Sequence, residues 1–177
     1  MKYFRIPQDR QISNPIVLRD IDKTVYVDGA ERLRFNKVSD MIVTYYPNSL
    51  DVEKPDILYS PAFLVSDRLK RLLEKYDSKM RFKGIRCYPQ DYDDPESLLY
   101  WWPSLDKIDC MSDKTEKYSN GLIHRLVIRP DKTQGKPILM VGGTIETIVL
   151  VSMELTESML RRGMWGMDYV PVDMVDA

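Results

Sequence analysis

Residues 63–76 read FLVSDRLKRLLEKY, and this order predicts a short apolar strand, a capping serine and then a helix. Ser66 is suited to accept a hydrogen bond from the free amides of the first helical turn. The apolar side chains recur at the spacing of one helix face, which is i, i+3, i+4 and i+7: Leu69, Leu72, Leu73 and Tyr76. We therefore expect a helix over residues 67–76 whose apolar face packs against a sheet.

The same order of residue types returns near the C-terminus. Residues 149–152 read VLVS and precede a second predicted helix over 153–162. Strands are predicted after both helices, at 82–89 and 169–172. Aligning the two serines matches leucine with leucine at the third following position but Leu72 with Ser158, so the second apolar stripe is weaker. The pattern is compatible with an internal duplication or with two independent units.

Composition and charge limit the function classes. The chain has 177 residues and a formal charge of −1, from 26 basic and 27 acidic side chains, so no global field attracts nucleic acid or an anionic membrane. No apolar run approaches the roughly 20 residues that cross a bilayer. The N-terminus lacks the apolar centre of a signal peptide. Cys87 and Cys110 belong to no metal-binding pair, and we expect both to be free thiols in a cytoplasmic protein.

Short strands dominate the rest of the chain. Two hairpins are predicted, one over 24–35 around the Asp28-Gly29 turn and one over 138–151 around Gly142-Gly143. Further apolar or β-branched runs predict strands at 3–6, 16–18, 41–46, 57–65, 98–102 and 122–128. The predicted fold is therefore α+β: a mostly antiparallel sheet of short strands with two main helices, each preceded by a strand and a serine cap.

No residues combine into a recognisable catalytic or cofactor site. His124 is the only histidine, which excludes a histidine triad or a multi-histidine metal site, and we interpret it as a half-buried structural residue of the strand over 122–128. The Gly142-Gly143-Thr144 run lacks the lysine of a phosphate-binding loop. The sequence therefore predicts no catalytic residue, no metal and no cofactor.

Two segments are candidates for contact with a partner. The first holds four carboxylates in six positions, which form either a solvated loop or a contact surface for a basic partner: Asp91, Asp93, Asp94 and Glu96. Their spacing does not match a calcium-binding loop. The second is the aromatic run Tyr100-Trp101-Trp102, which could stack on bases or sugars. Because positive charge does not surround that run, packing in a core or an interface is the better interpretation, and we predict no nucleic-acid partner.

Several of these segments together resemble a known family. The pattern LVSxxLxxLL at 64–73, LYW at 99–101 followed by LDxIDxxSxxxxxY at 105–118, and LVSxxL at 150–155 with VPV at 170–172 is similar to that of the Imm11 (Myxococcus-type) immunity proteins. The resemblance covers residues 57–175. It suggests a family core at 57–177 and a strand-rich N-terminal part of the same fold at 1–56. The sequence departs from the family at Trp102-Pro103, where an asparagine is more usual.

The resemblance implies a function that needs no reactive group. Imm11 proteins are encoded beside polymorphic bacterial toxins and neutralise them by direct binding, so the expected partner is a cognate protein toxin. An alternative class is a small enzyme or ligand-binding domain with a pocket lined by Tyr, Trp and carboxylate side chains. For the first class, the predicted partner-binding residues are the acidic segment and two aromatic side chains: Asp91, Asp93, Asp94, Glu96, Tyr100 and Trp102.

Overall fold

The computed structural model describes residues 1–19, 35–36, 38–47, 51–90 and 97–175. The two principal helices of this part of the chain are α1 (Asp67–Tyr76) and α2 (Met153–Arg161). The described strands are, in chain order, β1 (Tyr3–Arg5), β2 (Met41–Tyr46), β3 (Ile57–Leu58), β4 (Leu64–Ser66), β5 (Phe82–Pro89), β6 (Leu98–Pro103), β7 (Lys107–Ile108), β8 (Glu116–Lys117), β9 (Ile123–Arg125), β10 (Val127–Ile128), β11 (Ile138–Val141), β12 (Val149–Ser152), β13 (Val170–Pro171) and β14 (Asp173–Met174).

The chain divides into two compact units. Unit 1 comprises residues 1–7, 105–163 and 168–177, and unit 2 comprises residues 8–104 and 164–167. Each unit contains one five-stranded sheet and one of the two helices. The predicted division of the chain after residue 56 concerns the extent of the family core, and it stays a prediction.

The α+β fold class is confirmed, but the sheets are mixed. In unit 2 the strand order is β2-β5-β6-β4-β3, in which β2 pairs with β5 in parallel and the other pairs are antiparallel. In unit 1 the order is β13-β1-β12-β11-β7, with a parallel pair between β7 and β11. Parallel neighbours need a long crossover connection, and the one between β2 and β5 contains α1.

Both predicted strand–serine–helix units are present, one in each compact unit. Ser66 Oγ accepts a hydrogen bond from the amide of Leu69 at 3.2 Å, and Ser152 Oγ accepts one from Leu155 at 3.3 Å. The two serines have the same extended backbone conformation, with φ near −65° and ψ near 160°. The weaker stripe of α2 is also confirmed, because Ser158 occupies the place of the buried Leu72.

The sheet of unit 2 has one face in a core and one face that is partly exposed. The core lies against the side of β5 and β6 that carries Ile85, Cys87 and Tyr100, all of them buried. In unit 1, a separate core forms around Leu139, Val141 and Leu150 of β11 and β12. Both cysteines are free and buried, one in each of these cores, as predicted.

Several sequence expectations differ from the structure. The predicted strand at 16–18 forms only isolated bridges, between Pro15 and Glu53 and between Arg19 and Tyr45. The predicted hairpin over 24–35 begins in residues that lie outside those described. The 138–151 pairing is confirmed, but its second strand begins at Val149.

The prediction that His124 is half-buried is wrong. The strand expected over 122–128 breaks at Leu126 into β9 and β10, so the apolar residues that become buried are Ile123, Val127 and Ile128. His124 points to solvent with its side chain 53 % exposed, where Nδ1 lies 3.3 Å from Glu116 Oε2. A break in the alternation, rather than a continuous strand, sets which face each side chain occupies.

A buried carboxylate organises the start of α1. Asp56 is 2 % exposed, and its carboxylate accepts hydrogen bonds from Ser66 Oγ, from Nε and Nη2 of Arg68, and from the amide of Trp165 at 2.8 Å. Its backbone bonds to the same neighbours, because the amide of Ser66 donates to Asp56 O at 2.8 Å and the Asp56 amide donates to Trp165 O at 3.0 Å. The ion pair raises the pKa of Arg68, chiefly through the hydrogen bond to Asp56.

Gly166 completes this arrangement by its lack of a side chain. It has a φ of +92°, and a Cβ at this position would lie 2.1 Å from Pro55 Cβ. Only glycine combines that backbone conformation with so close an approach. Residues 164–167 therefore pass directly against the chain that precedes Asp56.

Among the described residues, no helix is long and apolar enough to cross a membrane.

Replacing Leu72 by alanine tests the packing of α1. Leu72 is buried, so the substitution removes core contacts and leaves a cavity. We expect the free energy of unfolding in urea to fall by about 2–5 kcal/mol. The exposed Lys75 of the same helix is the control, since its alanine variant should stay within about 0.5 kcal/mol of the wild type. Equal stability of the two variants would contradict the packing described.

Replacing Asp56 by alanine tests the carboxylate network. The substitution leaves Ser66 Oγ and the Trp165 amide without their acceptor, while the half-exposed Arg68 can still be solvated. We expect a loss on the order of 3 kcal/mol in the free energy of unfolding. Arg71→Ala, which removes an exposed i,i+4 pair with Asp67, should lose only a few tenths of a kcal/mol. A loss for Asp56→Ala as small as that of the control would show that the network does not stabilise unit 2.

Candidate partner-binding surface

Three strands of unit 2 present one face that the core does not use. Alternate residues of β2, β5 and β6 point to it, and the strand register aligns them in rows across the sheet. We call this set the exposed face: Met41, Val43, Tyr45, Gly84, Arg86, Tyr88, Leu99 and Trp101. One row is Met41–Gly84–Trp101 and the next is Val43–Arg86–Leu99.

The exposed face is apolar and accessible along β2. Met41, Val43 and Tyr45 are 42 %, 52 % and 46 % exposed, although each is a large hydrophobic side chain. The residues between them on β2 point into the core, where Thr44 and Tyr46 are buried. A single exposed hydrophobic residue is normal on a protein surface, but a contiguous row of them indicates an interaction site.

Helix α1 borders the exposed face on its β6 side. Asp67 Oδ1 accepts a hydrogen bond from Trp101 Nε1 at 3.0 Å, and Lys70 Nζ lies 4.6 Å from the centre of the same ring. Gly84 leaves room beside this ring, because a Cβ there would lie 2.5 Å from Met41 Cε and 3.4 Å from Trp101 Cζ3. The methionine therefore lies across the glycine and approaches the indole, which makes the row continuous.

The middle and far rows add aromatic rings and one cation. The rings of Tyr45 and Tyr88 lie 6.4 Å apart, and Arg86 is half-buried between Val43 and Leu99. Arg86 Nη1 donates to Ser97 Oγ at 3.1 Å. Within the described part of the chain, no carboxylate forms an ion pair with Arg86. The guanidinium therefore keeps donors that a partner can use.

The structure places Tyr100 and Trp102 on the opposite face of β6. Both are buried in the core: the Tyr100 hydroxyl donates to Pro55 O at 2.8 Å, and the Trp102 ring lies 5.1 Å from that of Phe35. Burial raises the pKa of Tyr100. Direct contact of these two side chains with a partner stays a prediction, and it requires the core side of β6 to become accessible.

The predicted acidic contact residues lie outside the described part of the chain. They are Asp91, Asp93, Asp94 and Glu96. The described residues on either side, Gln90 and Ser97, connect this segment to β5 and β6. In the sequence, the acidic segment therefore joins the two strands that carry Arg86, Tyr88 and Leu99.

Sequence reasoning missed the exposed apolar side chains of β2. Residues 41–46 read MIVTYY, which is apolar or β-branched at nearly every position and therefore gives no alternation between a wet and a dry face. The available signal was that such a strand has a second apolar face to cover. Only the pairing of β2 with β5 shows that this second face is the one that carries Arg86.

A cavity of about 410 Å³ lies in unit 2 near the start of β5. Its lining includes Trp101, two phenylalanines and the carboxylates of Asp40 and Glu74, which partly matches the pocket expected of a small enzyme or ligand-binding domain. Both carboxylates are held by lysines, since Lys83 binds Asp40 and Lys70 Nζ lies 2.6 Å from Glu74 Oε1.

Asp40 does not fit the role of a general acid in this cavity. A general acid needs a carboxyl group whose pKa is raised, whereas the hydrogen bond from Lys83 lowers the pKa of Asp40. Among the described residues, no three His, Cys, Asp or Glu side chains come together as metal ligands do. The cavity is therefore a mixed ionic and aromatic site without identified chemistry.

Comparison with known protein families gives a match over most of the chain. The model of the family described as Immunity protein family (Imm11) matches residues 6–174. This match includes β2, which lies before the region in which the sequence resemblance was seen. No curated protein matches the chain.

The exposed face should be dispensable for stability. Val43→Gln replaces a solvent-exposed side chain. We therefore expect the free energy of unfolding, measured in urea, to change by no more than about 0.5 kcal/mol. Ile85→Ala, on the core side of the neighbouring strand, should cost about 2–5 kcal/mol. A loss at Val43 comparable to that at Ile85 would mean that the residue serves the fold, not a partner.

Proposed function

The chain belongs to the Imm11 immunity protein family, and we propose that it protects its host by binding a cognate protein toxin directly and blocking the toxin's action. The observation that carries this proposal is the family match, which spans nearly the whole chain. An inhibitor of this kind needs a complementary surface and no reactive group. The exposed face of unit 2 is proposed as this surface, because it joins aromatic and aliphatic side chains to a cation.

In the proposed mechanism, the protein acts in the cytoplasm and blocks the toxin by covering part of its surface, without catalysing a reaction. Bound to its partner, the protein covers the surface that the toxin uses against its target, so protection follows the stoichiometry of the complex. The two free, buried cysteines support a reducing compartment, because neither forms a disulfide. In this proposal, the interaction requires neither a cofactor nor a nucleic acid.

The acidic segment at 91–96 is proposed as the recognition element for a basic region of the toxin. It is the densest cluster of one sign on a chain whose net charge is −1. A toxin that acts on nucleic acid needs a basic cleft, which four closely spaced carboxylates would complement. Tyr100 and Trp102 are proposed contacts only if binding opens the core side of β6.

Co-expression tests the function. The gene immediately upstream should encode a large toxin, and the toxin's C-terminal domain should kill cells that lack this protein and spare cells that make it. The two polypeptides should co-purify as a stoichiometric complex. Protection without any complex would instead support the enzyme or ligand-binding alternative, in which the cavity near β5 is the first place to map.

Converting the four carboxylates of 91–96 to amides tests the recognition element. We expect weaker binding of the toxin domain and a flatter dependence of Kd on salt, because fewer charges across the interface are screened. Calorimetric titration at several salt concentrations measures both quantities. An unchanged Kd together with an unchanged salt slope would remove this segment from the interface.

A control variant with the same net charge separates local from global electrostatics. Four exposed carboxylates of unit 1 can be changed to amides instead: Asp109, Asp113, Glu154 and Glu157. This variant should bind the toxin domain like the wild type. Equal weakening in the two variants would show that net charge, and not residues 91–96, governs the association.

A further inference from the structure

We propose that the exposed face of unit 2 is the docking surface for the toxin, and that the docked region is an apolar protein surface bearing a carboxylate opposite Arg86. This inference rests on the proposed function and specifies where the partner binds and what chemistry it presents. Apart from Trp101, it concerns residues that the sequence did not identify as candidate contacts. The observations that carry it are the exposed apolar side chains of β2, the flat shape of the face, and the Arg86 guanidinium, which has no carboxylate partner among the described residues.

The composition of the exposed face is that of an interface centre. Tyr, Trp, Met and Arg are enriched at the centres of protein interfaces, and Tyr, Trp and Arg dominate the residues that contribute most to binding. The face contains all four types, in Tyr45, Tyr88, Trp101, Met41 and Arg86. Trp101 is an anchor of fixed orientation, because its Nε1 donates a hydrogen bond to Asp67.

The dimensions of the exposed face favour a macromolecular partner. A six-residue strand is about 20 Å long, and three neighbouring strands span about 10 Å, so the face covers roughly 200 Å² in plan. A sheet surface of this kind is not a concave pocket for a small molecule. A stable interface buries about 800 Å² on each partner, so the exposed face would form its centre and surrounding segments its rim.

Arg86 determines the charge that the partner must bring. An apolar surface docked here would bury the guanidinium with only Ser97 Oγ as its acceptor among the described residues, which is unfavourable for a charge. A partner carboxylate can accept two parallel hydrogen bonds from a guanidinium and neutralise it. The geometry therefore favours a partner with an Asp or Glu inside an apolar surface.

The same argument disfavours a second copy of this chain. Two copies docked through this face would place two Arg86 side chains in one interface. The carboxylate that borders the face, Asp67, is already engaged, because it accepts from Trp101 Nε1 and pairs with Arg71 at 2.8 Å. Within the part of the chain that the structure describes, a homodimer would therefore offer no free carboxylate at this face to its two cations, whereas a toxin can supply one for each.

Cysteine accessibility tests the location. The native thiols give a low background, because burial raises the pKa of Cys87 to about 12 and that of Cys110 to about 11. The probe is the toxin domain encoded immediately upstream, inactivated by mutation. Val43→Cys reports on the exposed face, and Ile145→Cys, at a position 76 % exposed in unit 1, is the matched control.

The two variants should behave differently in the complex. With the toxin domain at about ten times its Kd, only about a tenth of the protein is free, so maleimide labelling of Val43→Cys should slow about tenfold. Labelling of Ile145→Cys should not change. If the Val43→Cys variant itself forms the complex but labels at an undiminished rate, the exposed face is not the docking surface. Loss of the complex in Val43→Cys while Ile145→Cys still binds would support it. If wild-type protein forms no complex, the proposed function and this inference both fail.

Substitution of Arg86 tests the chemistry of the partner. Arg86→Gln should raise the Kd for the toxin domain at least about tenfold, as expected at the centre of an interface, and Arg86→Lys should recover part of the loss because it keeps the charge. Unchanged urea midpoints establish that both variants are folded. A Kd for Arg86→Gln equal to that of the wild type would contradict the proposal that the partner brings a carboxylate to Arg86. Slower labelling of Val43→Cys in the complex would then indicate that the contact at this face is purely apolar.

Discussion

Unit 2 depends on the buried carboxylate of Asp56. One side chain joins the residue that caps α1, the first turn of that helix and the returning segment that contains Trp165. This carboxylate accepts hydrogen bonds from several donors, so its removal would leave several polar groups without partners. The contacts therefore depend on one another. Gly166 allows the returning segment to come this close, since any side chain there would collide with Pro55.

The position of α1 in turn defines the candidate interface. The helix holds Trp101 through Asp67 and places Lys70 over the indole, so it borders the exposed face at β6, while Met41, Val43 and Tyr45 of β2 remain exposed. In the proposed mode of binding, the core and the toxin contact thus use opposite faces of one sheet. Residues such as Ile85 and Tyr100 form the core, while Val43 and Arg86 are available to a partner. Side chains on the exposed face can therefore change with the partner at little cost to the fold.

The sequence predicted the local elements well and the long-range arrangement poorly. Both helices and their serine caps follow from short-range spacing, as does the strand over 41–46. The parallel pairing of β2 with β5 could not be read, because the two strands are separated by α1 and other segments. The exposed face was missed for the same reason: it exists only when three distant strands align. His124 was misplaced because the strand that carries it ends at Arg125, one residue after His124.

The most direct test of this account is a structure of the protein bound to its toxin domain. We predict that Val43, Tyr45 and Trp101 are buried against the toxin and that a toxin carboxylate lies within hydrogen-bonding distance of the Arg86 guanidinium. The core of unit 2, including the Asp56 network, should be the same as in the free protein. A complex in which the exposed face remains in solvent would contradict the account.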